Sequence, residues 1–251
     1  MSSFGQALDR LSTAQKSKRG VSIYSRFVNR PIGRVLAAAC FVLRMTPNQV
    51  TLGSAVATVL GLTLLVTATP TPASGLGVAL LLMLGFALDS ADGQLARLTG
   101  LRSPAGEWLD HVVDAGKIVA VHSAVLIAVF RSTDAADGWY LVPLAFQVVG
   151  IVTFVGGLLV ELLRRSPAAV DQERSPSTLR AVGLLPADYG ILAASFVLWG
   201  WPTLFLTGYG LLFAANLVIM VLLLNRWFRA LREVSHCPPT PEAEVPRTPS
   251  A

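Results

Sequence analysis

Six long apolar stretches, separated by short segments with polar residues, proline or glycine, constrain this sequence more than any other feature. They lie at residues 49–69, 73–97, 106–130, 139–163, 185–202 and 204–225. Backbone amide and carbonyl groups must be paired within lipid, so stretches of this length predict membrane-spanning α-helices. The composition agrees, because 53% hydrophobic and 14% charged residues are too apolar for an ordinary soluble domain. We therefore predict an all-α membrane protein with six transmembrane helices.

The segments outside these stretches complete the organisation of the chain. We divide it into a flexible N-terminus at 1–20, an interfacial amphipathic helix at 21–45, a six-helix domain at 46–233 and a disordered Pro-rich tail at 234–251. Arg26, Arg30 and Arg34 recur at four-residue intervals, which indicates one helix face directed at lipid phosphates, with the helix interrupted or started near Pro31. An ordinary cytosolic lead-in is the alternative interpretation of this segment.

Lysine and arginine residues are distributed unevenly between the two sides of the predicted topology. They gather before residue 48, between residues 164 and 183, and after residue 225, whereas only Arg131 falls on the opposite side. The positive-inside rule then predicts that both termini lie in the cytoplasm, and we expect a multi-pass protein of the plasma membrane. The basic residues lie at helix ends and form no stripe with aromatic residues, so the net charge of +5 does not predict a nucleic-acid partner.

Aspartates gather where the second apolar stretch ends and the third begins. Each helix carries part of the pattern on one face: Asp89, Asp92, Gly93 and Ala96 at i, i+3, i+4 and i+7, and Gly106, Asp110 and Asp114 at i, i+4 and i+8. Pro104 after Ser103 suits the start of the second of these helices. We expect four carboxylates to share one cleft on the cytoplasmic side, at or just inside the membrane surface. Ionisable residues at that depth are costly and indicate a functional site.

Four neighbouring carboxylates repel one another, so protons or cations must hold them together. Hard divalent ions such as Mg²⁺ or Mn²⁺ prefer carboxylate oxygens, and two such ions can clamp a phosphoryl group. A proton relay, a polar patch between helices and a cation or proton transporter are the alternatives. A transporter predicts polar residues continuing across the bilayer, whereas here only Lys117 and His122 are ionisable beyond the acids.

The full spacing from Asp89 to Asp114, D-x2-D-G-x2-A-R-x8-G-x3-D-x3-D, resembles the signature of the CDP-alcohol phosphatidyltransferases at every fixed position. The segment TPNQVT, which contains Asn48 and Thr51, is similar to a P-N-x-hydrophobic-T element of the same family. Together with the preceding NRP, it looks most like the branch that includes inositol-phosphate-transferring enzymes. The resemblance implies transfer of a phosphoalcohol from a CDP-alcohol to an acceptor hydroxyl with release of CMP, by a homodimer that uses two Mg²⁺ or Mn²⁺ ions.

The resemblance also implies roles for individual residues. The implied metal ligands are Asp89, Asp92, Asp110 and Asp114, and Asp114 is a further ligand or the general base. The implied CDP-binding residues are Asn48, Thr51, Asp92, Gly93, Ala96, Arg97 and Gly106. Elementary chemistry agrees with these roles, since glycines let a nucleotide approach the backbone and a guanidinium offers a fork of donors to a diphosphate.

The sequence is least specific about the acceptor. The candidate acceptor-binding residues are Lys117, Arg164, Arg165 and Arg180, with Arg174 in the same loop. Such excess positive charge predicts a phosphorylated acceptor such as inositol phosphate or glycerol phosphate, unless the arginines serve only membrane topology. A soluble donor such as CDP-inositol, with an alcohol acceptor, is the alternative to a CDP-lipid donor. Asp188 and Tyr189 open the fifth stretch, either as a helix start or as an acceptor contact.

Overall fold

The computed structural model describes residues 4–13, 22–164 and 183–234, which form helices and connecting turns and contain no β-strand. The helices are α1 (Phe4–Thr13), α2 (Arg30–Val42), α3 (Pro47–Thr67), α4 (Pro72–Thr99), α5 (Pro104–Ser132), α6 (Leu141–Arg164), α7 (Tyr189–Ser195) and α8 (Pro202–Val234). A π-helical turn, Ser25–Asn29, runs directly into α2, and 3-10 turns occupy Asp137–Tyr140, Leu185–Ala187 and Phe196–Gly200.

Five of these helical segments are long and apolar enough to cross a membrane. They are Pro47–Thr67, Pro72–Thr99, Pro104–Ser132, Asp137–Leu163 and Pro202–Arg232. The predicted all-α membrane class is therefore confirmed. The stretch predicted as the fifth span contains a shorter apolar helical segment, Tyr189–Gly200, because Pro186 lies in a separate 3-10 turn and the Asp188 side chain caps the helix only at Tyr189. The total of six spans stays a prediction.

The N-terminus differs from the flexible segment expected at 1–20, because residues 4–13 form helix α1. Ala7 and Leu11, one turn apart, are each only 1% exposed and pack in a cluster with Ala37 and Ala38 of α2. Burial of this narrow apolar face accounts for the helix despite its polar composition. The tail predicted from residue 234 begins where α8 ends, and residues 235–251 lie outside the described part of the chain.

Helix α2 packs closely against the bundle. A Cβ atom at Gly33 would lie 2.8 Å from Oγ of Ser90 on α4, so the small residue sets the distance between these helices. The π-helical turn that precedes Pro31 is a local irregularity of the kind common near functional sites. Arg30 lines an open cavity between the helices, and the expectation that this helix face is directed at lipid phosphates stays a prediction.

The helices that carry the aspartates have well-defined ends. Thr46 and Thr71 each form a capping box at the start of α3 and α4, and the Ser103 hydroxyl accepts a hydrogen bond from the amide of Gly106 at the start of α5. Helix α4 ends at Gly100, whose φ of 71° suits glycine. The short connection from α4 to α5 brings the C-terminal end of one against the N-terminal end of the other. The two halves of the aspartate pattern are thereby placed side by side.

Candidate active site

A cavity of about 780 Å³ lies between the ends of helices α2 to α6. All seven predicted CDP-binding residues line it: Asn48, Thr51, Asp92, Gly93, Ala96, Arg97 and Gly106. Asp89 and Asp110 line it as well. The sequence motif and the separate TPNQVT element therefore meet on one surface, although more than 30 residues of apolar helix separate them in the chain.

The four predicted metal-binding aspartates form two overlapping groups. Asp89, Asp92 and Asp110 each place a carboxylate oxygen within 4.8 Å of the other two, and Asp110, His111 and Asp114 do the same with their ligand atoms. Asp110 belongs to both groups, so the aspartates of α4 and α5 form one continuous cluster. Each group supplies ligand atoms that a divalent cation can use. His111 was not predicted as a ligand, because the sequence placed it on another face from Asp110.

Asp92 is the most enclosed of the four aspartates, at 5% exposed. Its Oδ2 accepts a hydrogen bond of 2.6 Å from the Thr51 hydroxyl, which also contacts the carbonyl oxygen of Pro47 at 3.2 Å. A buried carboxylate needs such partners to offset its lost hydration. The first turn of α3 therefore orients a carboxylate of α4, and this contact explains structurally why Thr51 belongs to the site.

The glycines leave space for a ligand where the two motif helices begin and end. A Cβ atom at Gly106 would lie 3.2 Å from Oδ1 of Asn48 and 3.3 Å from Oγ of Ser103, which is tighter than an ordinary contact. Gly93 faces open space apart from the Arg97 guanidinium, whose Nη1 would lie 3.7 Å from such a Cβ atom. Gly106 thus keeps the cavity wall close to Asn48, and Gly93 leaves backbone accessible from the cavity.

Positive charge lines the same cavity. Arg30, Arg97 and Arg102 all contribute to its wall, and Nε of Arg97 is buried with no hydrogen-bond partner among the described residues. Burial, followed by the nearby Arg26, lowers the pKa of Arg30 from its usual range. The carboxylates and guanidiniums of this cavity could accommodate the metals and phosphates of one ligand. Of these three arginines, sequence reasoning singled out only Arg97 for this role.

A second, smaller cavity of about 160 Å³ adjoins the cluster and is lined by Phe86, Asp89, Asp114, Lys117, Ile118, Phe154 and Tyr189. Nζ of Lys117 donates to Asp89 and, at 3.2 Å, to Oδ1 of Asp114. These ion pairs place the Lys117 ammonium group against two carboxylates in largely apolar surroundings, where the pairing offsets the free-energy cost of removing the charges from water. Lys117 therefore lies beside the cleft as predicted, and two of its three donors serve the aspartates.

The aspartates are divided between the two cavities. Asp92 and Asp110 line the larger one, Asp114 lines the smaller one, and Asp89 lines both. Phe86 is likewise common to both walls. A ligand group beside Asp89 would therefore be accessible from both cavities.

The remaining predicted site residues are placed differently. Arg164 is the last residue of α6, and Arg165, Arg174 and Arg180 lie outside the described part of the chain. His122 is buried, 2.5 Å from the Tyr209 hydroxyl, within an aromatic cluster, which agrees with its interpretation as a packed polar residue. That packing gives the transport alternative no support.

Sequence reasoning missed several wall residues of the larger cavity, namely Ser25, Asn29, Arg30, Ser90, Gln94, Arg102 and Glu161. The NRP triplet at Asn29–Pro31 was noted only as part of the family resemblance. Its proximity to the site is a tertiary effect: Nδ2 of Asn29 donates to the carbonyl oxygen of Phe86 at 3.3 Å, and Nε2 of Gln94 donates to that of Arg30 at 3.1 Å.

Comparison with known proteins gives one informative result. A family model described as CDP-alcohol phosphatidyltransferase matches residues 44–227, which is well over half of the chain. A search of curated proteins found no match. The matched region contains the whole aspartate motif and the TPNQVT element, and it begins after helix α2.

Proposed function

This chain belongs to the CDP-alcohol phosphatidyltransferase family, and from that premise we propose that it moves a phosphatidyl group from a CDP-lipid to a hydroxyl of a phosphorylated polyol. The family implies an integral-membrane enzyme of phospholipid synthesis that transfers a phosphoalcohol from a CDP-alcohol. The observation that carries the assignment of separate donor and acceptor sites is that Asp89 lines two unequal cavities. An in-line displacement needs one approach for the leaving group and another for the attacking group.

The larger cavity is assigned to the CDP portion of the donor. Its polar wall contains Asn48 and Thr51 at the start of α3, together with Gly93, Ala96, Arg97 and Gly106 from the motif. Glycines permit close approach of the nucleotide, and Arg97 can donate to the diphosphate. The buried Nε of Arg97, which lacks a described partner, supports a role for this side chain in binding an anion.

The donor set fits two divalent cations. Asp89, Asp92 and Asp110 would hold one, and Asp110 and Asp114, whose ligand atoms lie within 4.8 Å of each other, would contribute to the other. Mg²⁺ or Mn²⁺ would neutralise the negative charge of the diphosphate when bound there. Carboxylate oxygens are the ligands that these hard ions prefer, so we give His111 a supporting place next to the cluster.

The smaller cavity is assigned to the acceptor hydroxyl. Asp114 accepts the proton of that hydroxyl, whose oxygen attacks the phosphorus nearer the lipid alcohol while the bond to the CMP oxygen breaks. Lys117 holds the carboxylates of Asp89 and Asp114 in place and has a third donor for an acceptor oxygen. Phe86, Ile118 and Phe154 form an apolar part of the cavity wall, which would limit competing hydrolysis by disfavouring water there.

We further propose a phosphate on the acceptor, as in an inositol phosphate or a glycerol phosphate. The proposal rests on the number of basic residues at the end of α6 and after it, including Arg164, Arg165 and Arg180. A cytoplasmic site in the plasma membrane and a homodimeric enzyme belong to the same proposal. A soluble CDP-inositol donor with an alcohol acceptor remains the competing assignment.

The decisive experiment measures CMP release by the purified full-length protein in lipid nanodiscs. CDP-diacylglycerol and CDP-inositol are each paired with inositol, inositol phosphate, glycerol phosphate and a lipid alcohol. We expect release only with CDP-diacylglycerol and a phosphorylated acceptor, abolished by EDTA and restored by Mg²⁺ or Mn²⁺. Release that requires CDP-inositol would reverse the donor assignment, and equal activity with unphosphorylated inositol would overturn the acceptor phosphate.

A further inference from the structure

The segment Ser22–Arg30 lies before the region matched to the family, yet three of its residues line the larger cavity. These residues are Ser25, Asn29 and Arg30, two of them within the π-helical turn. The segment continues into α2 at its C-terminal end, whereas its N-terminal part is held by side-chain contacts with a distant part of the chain. Those contacts therefore help to set the position of that wall of the cavity.

The strongest attachment is to Asp188, a residue 7% exposed that precedes α7. Oδ2 of Asp188 accepts from the Ser22 hydroxyl, from the Ser25 hydroxyl at 2.6 Å and from the Ser25 amide at 3.2 Å. Oδ1 accepts from the amide of Gly190 at 2.8 Å, which caps α7. One buried carboxylate thus uses one oxygen for the helix start and the other for the N-terminal segment.

Aromatic packing reinforces the same junction. The Tyr24 ring covers Gly190 so closely that a Cβ atom there would lie 1.9 Å from Cε1 of the ring. Tyr24 also stacks on Phe86, with ring centroids 6.5 Å apart, and Phe86 packs against Tyr189 at 5.3 Å. Burial, and then the Asp188 carboxylate, raise the pKa of Tyr24, so its hydroxyl stays neutral. The contacts run from the N-terminal segment to Phe86, which borders both cavities.

We propose that Asp188 is a positioning residue of this enzyme, which holds the segment Ser22–Arg30 as one wall of the nucleotide cavity. Asp188 lines neither cavity, so it acts through Ser22 and Ser25. The proposal rests on the proposed function, because the cavity is assigned to the CDP portion of the donor. It extends the donor site beyond the region that the family match covers.

Two substitutions separate this role from simple helix capping. Asn is as good a helix N-cap as Asp, so Asp188→Asn can keep the bond to Gly190 but then turns an amide donor toward the Ser25 amide donor. Ser22→Ala removes a buried partner of Asp188 that lines neither cavity, and it leaves the cap intact. Ser195→Ala is the matched control, since Ser195 ends the same helix and donates only to the Leu192 carbonyl oxygen at 2.7 Å.

The test uses the full-length protein in lipid nanodiscs and measures the kinetics of CMP release, the rate of tryptic cleavage and the melting temperature. We expect Asp188→Asn and Ser22→Ala each to raise the KM for the CDP-alcohol on the order of tenfold, with kcat within about twofold. Tryptic cleavage at the Arg26–Phe27 bond should accelerate in both variants, because the segment detaches, while Ser195→Ala matches the wild type throughout. The melting temperature of the helical bundle should change little in Ser22→Ala.

Each contrary result has a definite meaning. Faster cleavage with an unchanged donor KM would reduce Asp188 to a structural anchor and overturn the positioning role. If the cleavage rate and the donor KM are unchanged in both variants, Asp188 does not hold the segment in place and the proposal is wrong. If Asp188→Asn fails to fold, Ser22→Ala decides. If the wild type releases CMP from no CDP-alcohol, the proposed function is refuted instead. The affinity of the same variants for CDP, measured directly, then tests whether the segment Ser22–Arg30 contributes to nucleotide binding.

Discussion

The two ends of the helix bundle have opposite chemistry, although the same helices build both. At one end, α4 and α5 present Asp89, Asp92, Asp110 and Asp114 to open cavities. At the other end, the same helices pack around an aromatic cluster in which Phe196, Trp199, Phe205 and Tyr209 are fully buried. We call these the carboxylate end and the aromatic end.

The difference shows how costly groups can be held in a membrane protein. Repulsion between the carboxylates destabilises the carboxylate end unless bound cations offset their charge. Close packing of large rings, in contrast, stabilises the aromatic end. Even the polar pair at the aromatic end is satisfied internally, since His122 and Tyr209 bond to each other. Because α4 and α5 pass through both ends, the aromatic end can keep their carboxylates in register. Substitutions at the two ends should therefore affect different quantities.

The largest expected effect is on chemistry at the carboxylate end. Asp89→Asn, Asp92→Asn, Asp110→Asn and Asp114→Asn should each lower the rate of CMP release by about 100-fold or more, since an amide is a poor metal ligand and no base. Folding should persist, because charge repulsion is relieved and the amide oxygen introduced by Asp92→Asn can still accept from the Thr51 hydroxyl. Rate assays with melting curves measure both. CMP release at near the wild-type rate by any one of these variants would contradict the assignment of two cations to this site.

At the aromatic end, Phe205→Ala should mainly cost stability. The ring is 0% exposed and packs against Phe196, Trp199 and Tyr209 at centroid distances of 5.2–5.7 Å. Removing it should lower the free energy of unfolding by about 3–5 kcal/mol. The folded fraction should keep both KM values. Leu211→Ala, an exposed position on the same helix, is the control; a Phe205→Ala protein with normal stability but altered KM would contradict the separation of the two ends.

A smaller effect is expected where the cavity wall is tight. Gly106→Ala places a methyl group 3.2 Å from Oδ1 of Asn48, so the donor KM should rise by about tenfold while stability stays close to wild type. Gly116→Ala on the same helix has nothing within 4 Å of its new Cβ atom and should be neutral. Kinetics of the pair, measured with one preparation of CDP-alcohol, checks this. Equal kinetics in the two variants would show that the wall near Asn48 is not used by the donor.

The smallest effect is expected at the basic residues at the end of α6 and after it. Arg164→Ala, Arg165→Ala and Arg180→Ala should each raise the acceptor KM severalfold and leave the donor KM unchanged, if they bind the acceptor phosphate. Arg131→Ala, on the predicted opposite side of the membrane, is the matched control. Small equal changes in both KM values would assign these arginines to membrane topology instead.

The aspartate motif shows where sequence reasoning was sufficient. Helical spacing alone places Asp89 with Asp92 and Asp110 with Asp114, and the family match confirms the resemblance that the motif carries. The lengths of the apolar stretches predict the long helices, because backbone polar groups in lipid leave little choice of structure. Residues 4–13 were the main exception, since their helix depends on Ala7 and Leu11 finding an apolar surface on α2.

By itself, the sequence determined the membrane class and the helices that carry the motif, because these follow from local periodicity, and through the family resemblance it predicted which residues bind the nucleotide. Only the tertiary structure decided which side chains share a wall. Asp188 and Ser22 are 166 residues apart, the aspartates divide between two cavities, and Arg30 lines one of them. These relations arise from packing between helices distant in the chain, and no local pattern carries that information.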